Sequence, residues 1–424
     1  MKNSIQFAYS VQGYNHIQSN KVCQDSSGEY HDEQMSIIVL ADGHGGNDYP
    51  RTDKGSKYAV ECAIRSIMIF VCSIEDLNEY NYIQKLNDLS RNILMEWHEC
   101  VNNDLLENPI SDLELKDVSE LYRSRYIQNP NQFCSNAYGT TLIAVCVTQN
   151  YWFGMQIGDG RCVTFAANGK DEPIPWDPKC KGNITTSLCD DNAIDEFRFC
   201  FGNTKNIPAA IFIGSDGVED SYPEPAMEKV YQLYASVLQI CMEHGEEKMK
   251  TEFEPYLSTI TRKGSGDDIS VCAWIDREKI NVSIMKYLSD LYLAKIVEKN
   301  KEQKNHSFHI EMASRKFNEY NEICKNIKKI TNNLNNQKEK LKTMGVSNDN
   351  YESRDRKVKK LTEELNTYEE RKKSMEEDYI KAKKILEKKK ELSSEIKNLV
   401  GKYNTFQKKT YVILPEKHYG AGLK

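Results

Sequence analysis

Six aspartates in small-residue company carry the chemistry that can be read from this chain. Asp25 follows Val22-Cys-Gln24, Asp42 stands in Ala41-Asp-Gly-His-Gly-Gly46, and Asp159 stands in Ile157-Gly-Asp-Gly-Arg161. Asp216 and Asp220 share Gly214-Ser-Asp-Gly-Val-Glu-Asp220, and Asp267 lies in Gly264-Ser-Gly-Asp-Asp268. Each lies near the end of a strand-like run. Carboxylates crowd together in the ionised form only where cations neutralise them. Hard divalent ions such as Mg2+ or Mn2+ favour oxygen ligands of this kind. Glycine beside Asp42, Asp159, Asp216 and Asp267 leaves room for backbone carbonyls and water to approach a metal. A lone Asp-Gly means only a turn; the series as a whole points to a metal site.

Those aspartates need a frame of strands. Short apolar, β-branched runs predict buried strands at Ile37–Ala41, Leu142–Val147, Tyr151–Met155, Ala210–Ile213 and Ile269–Ile275. Between them lie helical periods. Val60, Ala63, Ile64, Ile67, Met68 and Val71 form one face, and Ile93, Leu94, Trp97, Val101 and Leu105 form a second. Glu224 to His244 is a third candidate helix, just after Pro223. Strands, then helices, then more strands argue for an α+β or layered α/β domain over residues 1–276 rather than a doubly wound sheet.

Beyond Ile275 the composition changes. From about residue 287 to 406 proline is absent, glycine occurs only at Gly345 and Gly401, and Lys, Glu, Asn and Leu dominate. That is long-helix composition. A cluster of turn formers, Met344 to Asn350, interrupts it. Folding back there matches Leu334 with Leu361, Ile330 with Leu365, Ile327 with Tyr368, Tyr320 with Met375 and Ala313 with Ala382. The steps alternate three and four, as a coiled-coil seam requires. The expectation is an antiparallel hairpin over 287–406, roughly 75–80 Å long at about 1.5 Å per residue; an intermolecular coiled coil is the alternative. Tyr411-Val-Ile-Leu-Pro415, in the tail 407–424, is expected to dock back on the globular part.

Bulk properties set the remaining bounds. The chain has 424 residues and a net charge of -6. That charge hides about +13 in residues 277–424 against about -19 before them. Lysine in the helical part alternates with glutamate, the pattern of a solvated face, which argues against nucleic acid as a partner. Thirteen cysteines without a C-x-x-C pair suggest reduced, structural thiols. No apolar run is long enough to cross a membrane, and the N-terminus lacks a secretory pattern, so a cytoplasmic location is expected.

In order and context, Asp42-Gly-His-Gly-Gly46, Gly139-Thr-Thr-Leu142, Gly158-Asp-Gly-Arg161, Ser215-Asp-Gly217 and Gly264-Ser-Gly-Asp-Asp268 resemble the motifs of the PPM/PP2C protein phosphatases. The resemblance spans roughly residues 4–276. It implies a four-layer α-β-β-α sandwich hydrolysing phosphoserine and phosphothreonine in proteins with two Mg2+ or Mn2+ ions, or three. Asp42 would bridge two metals and the Gly43 carbonyl would ligate one. Asp216 and Asp267 would complete the first shell, and Asp25 would support the second ion through water. Asp159 with Asp216 or Asp220 would form a third site. His44 matches the family's general acid. Such an enzyme acts on phosphoprotein substrates made by a cognate Ser/Thr kinase, and the helical arm would dock a protein partner.

The chain departs from better-known members at its N-terminal motif, where an arginine and then Glu-Asp are expected. Here Asn20 and Gln24-Asp25 stand instead, as in a bacterial branch with His followed by Gln-Asp. His16 or Lys21 is left to bind the substrate phosphate. The competing reading is a pseudophosphatase that keeps the fold as a binding module.

Overall fold

A computed structural model describes residues 4–128, 134–182, 184–223, 226–343 and 350–413. They fall into two compact units, the first running to Leu288 and the second from Ser289 to Lys408.

The first unit is built on ten strands. In chain order these are β1 (Ser4–Val11), β2 (Ser26–His31), β3 (Met35–Ala41), β4 (Leu142–Thr148), β5 (Tyr151–Ile157), β6 (Arg161–Ala166), β7 (Gly169–Asp171), β8 (Arg198–Asn203), β9 (Ala210–Gly214) and β10 (Ile269–Asp276). They form two five-stranded sheets, ordered β1-β10-β9-β6-β7 and β2-β3-β4-β5-β8, and every pairing is antiparallel. Alternation along β3 shows how the layers stack, because successive side chains leave opposite faces of a strand. Ile38 and Leu40 join Ile143, Val145, Ile211, Ile213 and Cys272 in a core between the sheets. Ile37, Val39 and Ala41 join Ala59, Ala63, Ile67, Ile93 and Trp97 in a second core beneath the helices.

Those helices are α2 (Thr52–Ser73) and α3 (Tyr82–Glu107); the short α1 (Tyr14–Ser19) precedes them and α4 (Glu120–Gln128) follows. Both predicted helical faces lie on α2 and α3. The far side of the β1–β7 sheet is covered by α6 (Met227–His244) and α7 (Glu246–Lys263), after a one-turn α5 (Asp216–Asp220). There Phe7 meets Phe253 with ring centroids 5.6 Å apart, and Phe212 stacks on Tyr234 at 4.5 Å. The result is a helix–sheet–sheet–helix sandwich. The third candidate helix begins at Met227, and Glu224 and Pro225 lie outside the described residues.

Long helices follow: α8 (Ile280–Asn305), α9 (Ser307–Lys342) and α10 (Tyr351–Ile413). In the second unit α9 and α10 run antiparallel. Tyr379 stacks on Tyr320 at 4.1 Å and on Phe317 at 5.2 Å, while Lys316 pairs with Asp378 and Arg371 with Glu319. Tyr292 stacks on Phe406 at 5.6 Å, and the Gln303 amide donates to Ser393. The turn expected near 344–350 and the docking of the tail fall largely outside the described residues. Among the described residues no helix is long and apolar enough to cross a membrane, and every cysteine is free.

Candidate active site

Strand register brings the aspartates to one end of the sandwich. Ser26 pairs with Ala41, which sets Asp25 beside Asp42 at adjoining ends of β2 and β3. Arg161 and Val271 both pair with Gly214, so the turn carrying Asp159, the start of α5 at Asp216 and the Asp267-Asp268 segment converge on the same rim. The Gly-Thr-Thr motif fixes Asp42 through its backbone. Thr141 N–H and Thr140 Oγ1 both donate to the Asp42 carbonyl, at 2.8 and 2.9 Å, and Asp42 N–H donates to Thr141 Oγ1 at 3.1 Å. Gly158 enters the turn at φ +104°, where a side chain would be strained and would press on Thr141.

The carboxyls perturb one another. Burial, then the charge of Asp268, pushes Asp25 up to about 8. Burial raises Asp42 well above the carboxylate range, and Asp25, Asp216 and Asp159 add to it. Asp216 rises to about 7 through burial and the charges of Asp159, Asp267 and Asp220, against an opposing hydrogen bond with Asp42. Burial also raises Asp159, with Arg198 and Arg161 among the groups that pull it back. Asp25, Asp42, Asp159 and Asp216 are therefore the gathered core. Asp267, whose side chain is 56% exposed, and the exposed Asp220 act on Asp216 from the rim.

The donor set fits divalent cations. Asp25 Oδ2 and Gln24 Oε1 are both buried without a hydrogen-bond partner. An orphaned buried oxygen is costly unless something positive meets it. Gly43 is buried, bridged to Thr140, and so close to the Gln24 carbonyl that a Cβ would stand 2.5 Å from it. As they stand, no three His, Cys, Asp or Glu side chains among the described residues close into a metal-binding group. The fit is one of chemistry and crowding.

The two candidate phosphate ligands differ. His16 is buried and spoken for: its Nδ1–H donates to Asp268 Oδ1 at 2.9 Å, and that bond raises its pKa. Its Nε2 is 3.9 Å from Asp267. Asp268 also accepts the Gly13 and Gln24 N–H groups, each at 2.6 Å. Burial works to raise this carboxyl, but the three donors outweigh it and hold it low. Lys21 lies at the surface, with Nζ 3.0 Å from Asn47 Oδ1 and 3.4 Å from the Gly45 carbonyl, over the loop that follows His44.

His44 lies in a closed setting. Its ring meets Tyr49 edge-on at 4.7 Å, and burial lowers its pKa to about 4. Nε2 is 2.8 Å from Ser187 Oγ. Sequence reasoning missed Asp268 and Ser187 as working parts of the site. The Asp267-Asp268 doublet is a signal for the first. Ser187 sits in an irregular segment with no motif, so only the fold reveals it.

Residues 12–258 match the sequence model of the family described as Protein phosphatase 2C. No curated protein matches. Among solved structures, a bacterial serine phosphatase is 12% identical with a TM-score of 0.42, covering 64% of this chain and 97% of its own. The catalytic domain of the serine threonine protein phosphatase PstP, solved with 2 manganese ions, is 16% identical with a TM-score of 0.40, covering 64% and 98%. Serine/threonine phosphatase Stp1 from Staphylococcus aureus is 13% identical with a TM-score of 0.40, covering 64% and 94%. With the family match extending over more than half of its length, the chain belongs to the protein phosphatase 2C family.

Proposed function

We propose that the first unit hydrolyses phosphoserine and phosphothreonine in proteins with the help of two divalent cations, Mg2+ or Mn2+, held at the aspartate rim. The observation that carries this reading is the convergence of Asp25, Asp42 and Asp216 on one rim, where burial and nearby carboxylates raise the pKa of all three. When bound, such ions lower the pKa of water and neutralise charge on a transferring phosphoryl group. Asp42 with the Gly43 carbonyl, Asp216 and Asp267 would hold the first ion, and Asp42 with Asp25 the second. Asp159 and Asp220 would offer a weaker third place.

The remaining work is positioning and proton supply. His44 donates a proton to the leaving serine or threonine oxygen. Burial alone opposes its protonation, and an arriving phosphate dianion supplies the counter-charge that favours it. Because His16 is engaged with Asp268, Lys21 is the better candidate to grip the phosphate. The substrate is the product of a Ser/Thr kinase, and the antiparallel helices of the second unit dock a protein partner.

The pseudophosphatase reading draws on the orphaned Gln24 where a carboxylate is expected. Phosphate release from phosphoserine peptides separates the two. Manganese-dependent turnover in the wild type that Asp42→Ala and Asp216→Ala both abolish supports the enzyme. No turnover by folded protein at saturating Mn2+ on any phosphopeptide overturns it.

A further inference from the structure

We propose that Cys62 and Cys100 form a peroxide-reactive dithiol that closes into a disulfide tying α2 to α3. The two thiols stand on neighbouring helices, 38 positions apart in sequence, with their sulfurs 3.7 Å from one another. A disulfide needs that gap to shrink to about 2 Å, and rotation about the Cα–Cβ bonds can move either sulfur that far. Every cysteine of the chain is free, so the pair stands in its reduced form.

The surroundings give the two sulfurs unequal roles. Cys62 is 0% exposed, and burial, then its neighbour Cys100, pushes its thiol up. Cys100 is only half-buried. Attack on an oxidant needs a thiolate within reach of solvent, which selects Cys100 as the attacking sulfur and Cys62 as the one that resolves it. Arg65 supplies a positive charge that favours a thiolate. Its Nη2 lies 3.5 Å from Cys62 Sγ, and both thiols are among the groups that raise its pKa, after the hydrogen bond with Glu96. Glu96 keeps the guanidinium there, accepting from Arg65 Nε at 2.7 Å and from Ser66 Oγ at 3.1 Å. A cleft of about 610 Å³ is lined by residues of both helices, among them Ser66, Glu96 and Asn103, each one turn from one of the cysteines. A molecule as small as hydrogen peroxide can approach by it.

The chemistry balances with hydrogen peroxide as the oxidant. The Cys100 thiol gives up its proton and attacks one peroxide oxygen. The O–O bond breaks, the departing hydroxide takes the proton as water, and Cys100 becomes a sulfenic acid. Cys62 then attacks the sulfenic sulfur, its own proton leaves with the displaced hydroxyl as a second water, and the S–S bond forms. Two electrons pass from the thiol pair to one peroxide. The bond would pin a helix that supports the aspartate rim. In the first two turns of α2, Thr52 Oγ1 donates to the Gly139 carbonyl at 2.7 Å and Ser56 Oγ to the Gln24 carbonyl at 2.6 Å.

The test treats folded, full-length protein with hydrogen peroxide at a dose that oxidises the exposed Cys72. Dimedone, which captures sulfenic acids, is present throughout, and the thiols are mapped by mass spectrometry. The wild type is expected to give a Cys62–Cys100 cross-linked peptide, two hydrogens lighter than its parts, that dithiothreitol cleaves. In Cys62→Ser, or Cys62→Ala should serine disturb the core, no partner consumes the sulfenic acid. Cys100 is then expected to carry at least about fivefold more dimedone than in the wild type. In Cys100→Ser, Cys62 is expected to stay a thiol. The cross-link restricts the unfolded chain, so peroxide should raise the urea midpoint of the wild type by about 0.5 M and leave that of Cys62→Ser unchanged. Absence of the cross-linked peptide, or equal dimedone labelling of Cys100 in wild type and Cys62 variants, overturns the proposal. Oxidation of Cys62 in Cys100→Ser overturns the order of attack, and a cross-linked protein with an unmoved midpoint overturns the tether.

Discussion

Replacing Asp42 with asparagine removes the carboxyl that hydrogen-bonds with both Asp25 and Asp216. On the proposed reading, the site then loses the carboxylate shared by both cations. Wild-type protein freed of metal is expected to gain several degrees in Tm when Mn2+ is added, because a ligand that binds only the folded state stabilises it by mass action. Asp42→Asn should show little of that gain in scanning calorimetry, and a full gain would place the metals elsewhere. Lys21 makes a second test at this scale. With its ammonium beside Gly45 and Asn47, Lys21→Met is expected to raise KM for a phosphopeptide several-fold and leave kcat nearly the same, as loss of uniform binding does. Asp42, Asp159, Asp216 and Asp267 could be found from sequence because each carries a glycine beside it. Asp268 shows in the sequence only as the second half of the Asp267-Asp268 doublet, its partner His16 lying 252 positions away. Ser187 does not show at all, its partner His44 lying 143 positions away.

Among the elements, the contiguous apolar runs were the readable ones. All five strand-like runs lie within β3, β4, β5, β9 and β10, whose residues are almost wholly buried. The missed strands β1, β2, β6, β7 and β8 (SIQFAYSV, SSGEYH, RCVTFA, GKD and RFCFGN) are shorter in apolar run or half-exposed, so tertiary pairing rather than composition makes them strands. Helix α7 was missed for another reason: it holds Pro255 well inside its length. Close packing of α2 gives an element-scale prediction. A Cβ at Gly55 would run into the Tyr138 carbonyl, and the neighbouring Gly55 carbonyl accepts the Trp97 indole at 3.0 Å. Gly55→Ala is expected to cost about 1–3 kcal/mol in urea unfolding. Ahead of the same helix, Arg51 is 3% exposed and grips Glu114, and that hydrogen bond above all lowers the Glu114 pKa from 4.5 to about 2. A carboxyl lowered on folding stabilises the protein above its unfolded value and loses that contribution as pH falls through its folded one. Relative to wild type, Glu114→Gln should therefore unfold at lower urea at pH 6. The gap should close as pH drops from 4.5 towards 2, and a gap that persists there would assign its cause to packing.

At the scale of the whole molecule, a catalytic sandwich is joined in one chain to paired helices of a different character. The second unit holds together by a seam of rings and ion pairs, with Tyr379 stacked on Tyr320 and Phe317. Deleting residues 300–405 is expected to leave turnover of p-nitrophenyl phosphate intact and to change the rate on the physiological phosphoprotein. Equal rates on that phosphoprotein would remove the docking role. The pairing of β1 with β10, Ser4 opposite Asp276 and Val11 opposite Ile269, carries a further consequence for how the enzyme comes into being. The first strand to leave the ribosome must wait for the last, about half a minute at roughly 5–20 residues per second. Until β10 arrives, the rim lacks Asp267 and Asp268, and the Gly13 and Gln24 N–H groups lack the Asp268 carboxylate that receives them. Chains truncated before β10 are therefore expected to release no phosphate from a phosphopeptide, and activity to follow only once synthesis has passed the entire sandwich.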